Sequence, residues 1–155
     1  MTAFATWCQH TAIAEAIRSR PWPYPAIEIF HIAGMVLVFG TILILNLRVF
    51  GLILRSEPVS QIAQDLTPLT LIGLGVQLVS GSLMYMASAM KFTENALFGI
   101  KIGLAIAAVA YHFAIHRKAA IAKDTQPKRL RLSAAVSFVL WAGVVLIGLD
   151  IGVLS

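Results

Sequence analysis

A single cysteine, Cys8, stands in the 155 residues, which excludes an intramolecular disulfide and any CxxC metal or redox motif. Charge is also scarce, at 12% of the chain against roughly 25% in an ordinary soluble domain. With 59% of its residues hydrophobic, the chain has too little polar cover for a globule of this size. Most soluble folds are excluded, and the solvent must be largely lipid. A basic n-region ahead of an apolar run is missing too. Gln9, His10, Glu15, Arg18 and Arg20 interrupt the first residues, so no cleavable signal peptide is expected. There is no internal repeat and no low-complexity tract.

What is present is apolar length. Four stretches are long enough for the roughly 20 residues that a transmembrane helix uses. The first runs over about 26–54 and is uncharged between Glu28 and Arg48. The second covers about 66–90, opening on Asp65-Leu66-Thr67-Pro68, a helix-start pattern. The third, about 96–116, is interrupted by Lys101, and the fourth, about 132–153, lies between Arg131 and a region that carries Asp150. The pattern predicts an all-α membrane protein: a four-transmembrane-helix bundle over 26–155, preceded by an interfacial amphipathic helix over 1–25. In that first segment Trp7, Ile13 and Ile17 are expected to face the bilayer, while Glu15, Arg18 and Arg20 face water. The run Pro21-Trp22-Pro23-Tyr24-Pro25 then turns the chain into the first span.

The net charge of +5 marks topology. Arg117, Lys118, Lys123, Lys128, Arg129 and Arg131 crowd the loop between spans three and four, opposed there only by Asp124. The positive-inside rule makes that loop cytoplasmic and puts both termini on the outer side. The loop is too short for a structured nucleic-acid surface, so no nucleic acid is expected as a partner.

Ionisable groups at membrane depth are costly and therefore informative. On span three a helical period aligns Lys101, Ala105, Ala108, His112 and His116. Span one aligns Glu28, His31, Met35, Val38, Ile42 and Asn46, and span two aligns Thr70, Gly73, Gln77, Gly81, Met84 and Ser88. Converging faces of this kind make a polar or cofactor-lined interior, although small residues such as those in Gly99-x-x-x-Gly103 and Gly148-x-x-x-Gly152 most often serve helix packing.

Four-helix bundles hold haem between facing helices on axial imidazoles. His31 lies roughly 7 Å below the outer edge and His112 roughly 20 Å or more below it, so the two cannot clamp one upright haem. Two separate sites are expected, an outer one at His31 and an inner one at His112 or His116. His10, Met84 or Met86 are candidates to complete the outer site, and Arg48 and Lys101 are candidate partners for haem propionates. Glu28, Lys101 and Asp150 fall at similar outer depth, where they can neutralise one another. Copper competes for the outer residues: Met1, Cys8, His10, Met84, Met86 and Met90 form a thioether, thiolate and imidazole set that suits Cu(I).

Glu28-x-x-His31, Gly34, Gly40, Asn46-Leu47-Arg48, Gly51, Pro68, Ser80-Gly81, Phe98-x-x-Lys101, His116 and the stretch from Ser137 to Trp141 resemble an uncharacterised family of bacterial four-helix inner-membrane proteins. That pattern has Asp-Leu-Arg where this chain has Asn46-Leu47-Arg48. More distantly the arrangement is similar to small membrane b-type cytochromes and to copper-resistance membrane proteins, which implies haem or copper handling. The expectation is a b-type cytochrome of the bacterial inner membrane. It would carry haem b, one or two groups, and pass electrons between a small outer-face molecule, superoxide or similar, and the quinone pool. The alternative is a copper-binding or copper-transport protein without enzymatic activity. Membrane lipid surrounds either, and a homo-oligomer, dimer or trimer, is compatible with the glycine-lined faces.

Overall fold

A computed structural model describes residues 2–122 and 125–154. Met1 of the copper set and Lys123 and Asp124 of the basic loop lie outside the described residues. Those residues form helices only: α1 (Thr2–Gln9), α2 (Ala12–Arg18), α3 (Pro23–Val49), α4 (Val59–Ala87), α5 (Ala89–Glu94), α6 (Ala96–Tyr111), a π-helical turn (His112–His116), α7 (Arg117–Ile121) and α8 (Pro127–Leu154). Four helical stretches, Pro23–Val49, Val59–Ala87, Ala96–Ile121 and Pro127–Ile151, are long and apolar enough to cross a membrane. Their outward surfaces carry exposed Ile29, Phe30, Val36, Leu78, Val79, Ile106, Val139 and Leu146, the surface expected where lipid is the solvent.

The helix ends follow local chemistry. Pro23 occupies the first turn of α3, where its missing N–H costs nothing. The same helix stops before residue 54 because Gly51 takes φ of +75°. Gly51 N–H then donates to the Arg48 carbonyl and Leu52 N–H to the Leu47 carbonyl, both at 2.9 Å, closing a Schellman cap. Helix α4 begins at Val59, after Pro58, well before the expected start at Leu66. Pro68 is therefore inside the helix. Around it the Thr67 and Thr70 hydroxyls donate to the carbonyls of Ala63 (2.6 Å) and Leu66 (2.9 Å), and the helix runs on.

The N-terminal segment is two helices where one was expected. Thr11 breaks it, its hydroxyl accepting from the Ala14 N–H at 3.3 Å. Ile17 is buried, contrary to the bilayer-facing role expected for it, whereas Trp7 and Ile13 are exposed. Arg18 is the clasp that turns Ile17 inward. It donates to the carbonyls of Gln9 (2.6 Å) and Ala87 (3.3 Å) and pairs with Glu15 (3.0 Å), tying the cap to the end of α4.

Helix α3 packs along α4, and α8 lies against both α3 and α6. Helices α4 and α6 share no extended contact among the described residues, so the four long helices form an arc that α5 bridges at one end while α7 packs on α4 at the other. Helix α1 and the C-terminal part of α8 lie at the α5 end, here the terminal end. Arg117, Lys118, Lys128, Arg129 and Arg131 mark the opposite, basic end. Between the two, Val38, Ile42, Ala108, Trp141 and Val144 form the apolar centre.

Candidate functional site

The α3–α4 contact is close because glycines meet. A Cβ at Gly73 would stand 2.7 Å from Val38 Cγ2 and 3.1 Å from the Gly34 carbonyl oxygen, too near for any side chain. Thr41 and Thr70 bridge the same seam by a buried 2.9 Å hydrogen bond. This approach delivers α4 side chains to His31. Gln77 Nε2 donates to the His31 carbonyl at 2.6 Å, and His31 Nδ1 lies 2.9 Å from Ser80 Oγ. The Ser80 hydroxyl proton is already committed to the Val76 carbonyl at 2.6 Å. His31 Nδ1 is then the donor to Ser80, and in the neutral ring this tautomer leaves the lone pair on Nε2. Gly81 leaves room for the ring: a Cβ there would be 3.1 Å from His31 Cε1.

Lys101 of α6 is half-buried. Its Nζ sits over Gly148 of α8, where a Cβ would be 3.2 Å away. The neutralisation expected among Glu28, Lys101 and Asp150 does not form, because Arg18 with Glu15 is the one ion pair among the described residues. Arg48 is at the basic end. Its guanidinium donates to the carbonyls of Glu57 (2.7 Å) and Arg55 (3.4 Å), so it organises the loop after α3, far from His31.

A second polar layer lies towards the basic end. The turn from His112 to His116 is π-helical, an irregularity that recurs at functional sites. His116 Nδ1 is 3.1 Å from Ser133 Oγ, whose proton goes to the Leu130 carbonyl at 2.8 Å. The logic is that of His31 and Ser80, and His116 Nε2 again carries the lone pair. Here, however, the ring is 0% exposed. With α6 and α8 antiparallel, His116 is opposite Ser133, Ala108 packs near Trp141, and Lys101 is beside Gly148. The same register puts His112 level with Ser137, and Asn46 of α3 belongs to this layer through the packing of Ile42 with Trp141. Six buried side-chain atoms in this region have no hydrogen-bond partner among the described residues: Asn46 Nδ2 and Oδ1, His112 Nδ1, His116 Nε2, Ser137 Oγ and Trp141 Nε1. Arg117 closes the layer at the basic end by donating to Thr67 Oγ1 at 2.8 Å.

The sulfur-bearing residues gather under the cap. Cys8 is buried with Ala5 and Ala89, and Tyr85, Met86 and Met90 pack against them. His10 is exposed and turned back on its own helix, Nδ1 to the Thr6 carbonyl at 2.7 Å, so it does not join His31. Met84 is half-buried on α4. Among the described residues no group of three or more His, Cys, Asp and Glu side chains stands together in metal-binding array. A Cβ at Gly99 or Gly103 would meet no described residue within 4 Å, so neither glycine serves a close approach here.

A family model matches residues 26–154. The chain belongs to a family of unknown function, DUF6644. No curated protein and no solved structure gives a match. The DUF6644 region starts in α3 and so contains both histidine layers, while Cys8 and His10 precede it.

Within the DUF6644 core, two requirements decide how well haem fits. An axial imidazole needs one nitrogen held and the other free as a lone pair, with space for a flat macrocycle beside the ring. His31 meets the first, since Ser80 holds Nδ1, while Gly81 accommodates the imidazole itself and the residue is half-buried. His116 also meets the first, but its ring is fully enclosed, and a macrocycle beside it requires α6 to part from α8. The sequence pointed to the histidines and to Gln77 and Gly81. It gave no sign of Ser133 as a partner, of Trp141 Nε1 as an unpaired donor, or of the π turn.

Proposed function

We propose that this chain is a membrane b-type cytochrome whose haem is held by His31 in the terminal half of the bundle. It passes electrons between a small molecule at the outer face, superoxide or one of similar size, and the membrane quinone pool. The observation that carries this reading is the His31–Ser80–Val76 relay, which spends the Nδ1 proton within the protein and presents Nε2 as a ligand at membrane depth. Haem, when bound, would be held by His31 and would supply a one-electron iron couple. Lys101, a half-buried cation without a carboxylate partner, is matched to a propionate or to an anionic reactant. Gln77 holds the α3 backbone under the ring. The enclosed setting of His112 and His116 favours one haem per chain over two. The basic end lies in the cytoplasm of the bacterial inner-membrane topology, and the termini lie outside.

Purified protein from cells with adequate haem supply is expected to be red, with a Soret band that sharpens on reduction, and His31→Ala should abolish it. A colourless wild-type preparation overturns the reading. A second reading, copper handling, is favoured by the packing of Cys8 with Met86 and Met90 under the cap, a soft donor set suited to Cu(I). Metal analysis of the same sample decides between the two, because copper without iron supports the second alone.

A further inference from the structure

Two adjoining hollows run down the outside of the α3–α4 pair from the cap. The upper, about 540 Å³, is bordered by Ser19, Arg20 and Trp22 and continues to Ile27 and Leu83. The lower, about 380 Å³, shares Ile27 and Leu83 and extends past Phe30 to Gly75. From Leu83 to Gly75 the helix descends about 12 Å. The polarity is graded along this length, with a cation, a hydroxyl and an interfacial tryptophan at the top and, apart from Ser80, apolar walls below.

The top of the groove carries an unanswered charge. Arg18 is fully engaged, with Gln9, Ala87 and Glu15. Arg20, two residues on, makes no hydrogen bond or ion pair with any described residue, although it borders the groove. A guanidinium at the membrane surface is suited to bidentate binding of a phosphate. Trp22, 63% exposed beside it, is the residue type that settles at headgroup level. A phosphate at Arg20 with a hydrocarbon chain directed below it has the same order of polarity as the groove.

We propose that this groove is a specific site for one anionic phospholipid, with its phosphate on Arg20 and an acyl chain lying past Ile27 and Leu83 towards Gly75. The lower hollow reaches Ser80, the hydrogen-bond partner of His31, from the lipid side. The lipid would fasten the cap helices to the bundle, because Ile13 and Ile17 of α2 line the groove opposite Ile27 of α3.

Gly75 gives a test that does not disturb the fold. A Cβ there meets nothing within 4 Å, so Gly75→Phe projects into the lower hollow without a clash in the protein. Arg20→Gln removes a charge that has no internal partner. The full chain is reconstituted with equal amounts of phosphatidylglycerol and phosphatidylcholine, extracted, and weighed by native mass spectrometry. The wild type is expected to retain one lipid, preferring phosphatidylglycerol roughly fivefold or more, the weight of one basic side chain against an anionic headgroup. Arg20→Gln should bring the preference close to unity, and Gly75→Phe should reduce retention of either lipid, with helicity unchanged in both. No retained lipid, or an undiminished preference in Arg20→Gln, overturns the proposal. So does removal of the lipid by millimolar inorganic phosphate alone, because the chain would then contribute nothing to binding.

Discussion

Replacing Ser80 by alanine isolates the relay that makes His31 a ligand. In the wild type the 2.9 Å contact between His31 Nδ1 and Ser80 Oγ fixes both tautomer and ring orientation, and the hydroxyl is itself anchored on Val76. Ser80→Ala leaves the Nδ1–H without its acceptor on a half-buried ring, an omission that costs about 1–3 kcal/mol. The alternative tautomer escapes that cost only by moving the proton to Nε2, where it blocks iron. Either way haem binding pays. At about 1.4 kcal/mol per decade, the expected loss of affinity is roughly tenfold to a hundredfold, which is also the usual effect of removing a hydrogen bond behind a metal-bound histidine.

The assay is titration of haem-free protein in detergent with haemin, followed at the Soret band, with far-ultraviolet circular dichroism to show that the helices persist. Ser82→Ala is the control, since Ser82 is exposed and its hydroxyl bonds only the Leu78 carbonyl of its own helix, at 2.7 Å. It should bind as the wild type does. Refutation is simple: if Ser80→Ala binds haem within twofold of the wild type, with the same spectrum, Ser80 does not position His31 and the relay has no part in binding.

Three further outcomes follow from the same geometry. Ser133→Ala should destabilise the bundle by about 1–3 kcal/mol, because it strands the His116 Nδ1–H at full burial. Ser137→Ala, whose hydroxyl bonds no described residue, should cost clearly less in the same unfolding titration, and equal losses would contradict the bonding described. Gly73→Ala should cost about 1–3 kcal/mol by overpacking against Val38, whereas Gly75→Ala, open on all sides, should be neutral; equal stabilities in a detergent unfolding series would refute the close approach. Lys101→Met should retain haem but lower its midpoint potential, by something on the order of tens of millivolts. Removing a nearby cation favours the more positive, oxidised iron, and a raised or unmoved potential in a redox titration would place Lys101 away from the haem.

The histidines and Lys101 were legible because hydrocarbon makes ionisable groups rare enough to examine singly. The α4 face was legible for a related reason, since Thr70, Gly73 and Gln77 recur at helical spacing and do meet α3. The start of α4 was not. Hydropathy measures the thickness of lipid, and Gln61, Gln64 and Asp65 extend a helix that has already left it. The break at Thr11 was hidden by a continuous amphipathic pattern that a single cap interrupts. The serine partners were hidden more deeply, because Ser80 and Ser133 act across helices and no spacing within one segment announces a pair formed with another. Arg48 was ambiguous for the opposite reason: a charge at the end of a span suits a propionate as well as the loop carbonyls that it binds.

Burying an imidazole in a lipid-facing bundle opposes folding unless both nitrogens find partners. This chain satisfies Nδ1 twice, at Ser80 and at Ser133, and each time leaves Nε2 without a bond to any described residue. In the inner layer six atoms share that condition. At about 1–3 kcal/mol for each unpartnered atom, their combined cost is comparable with the entire 5–15 kcal/mol by which a typical protein is stable. Leucine or alanine at the same positions would pack without that cost. Partners beyond the described residues would lower that cost, and replacing Ser137, whose hydroxyl bonds no described residue, measures it directly.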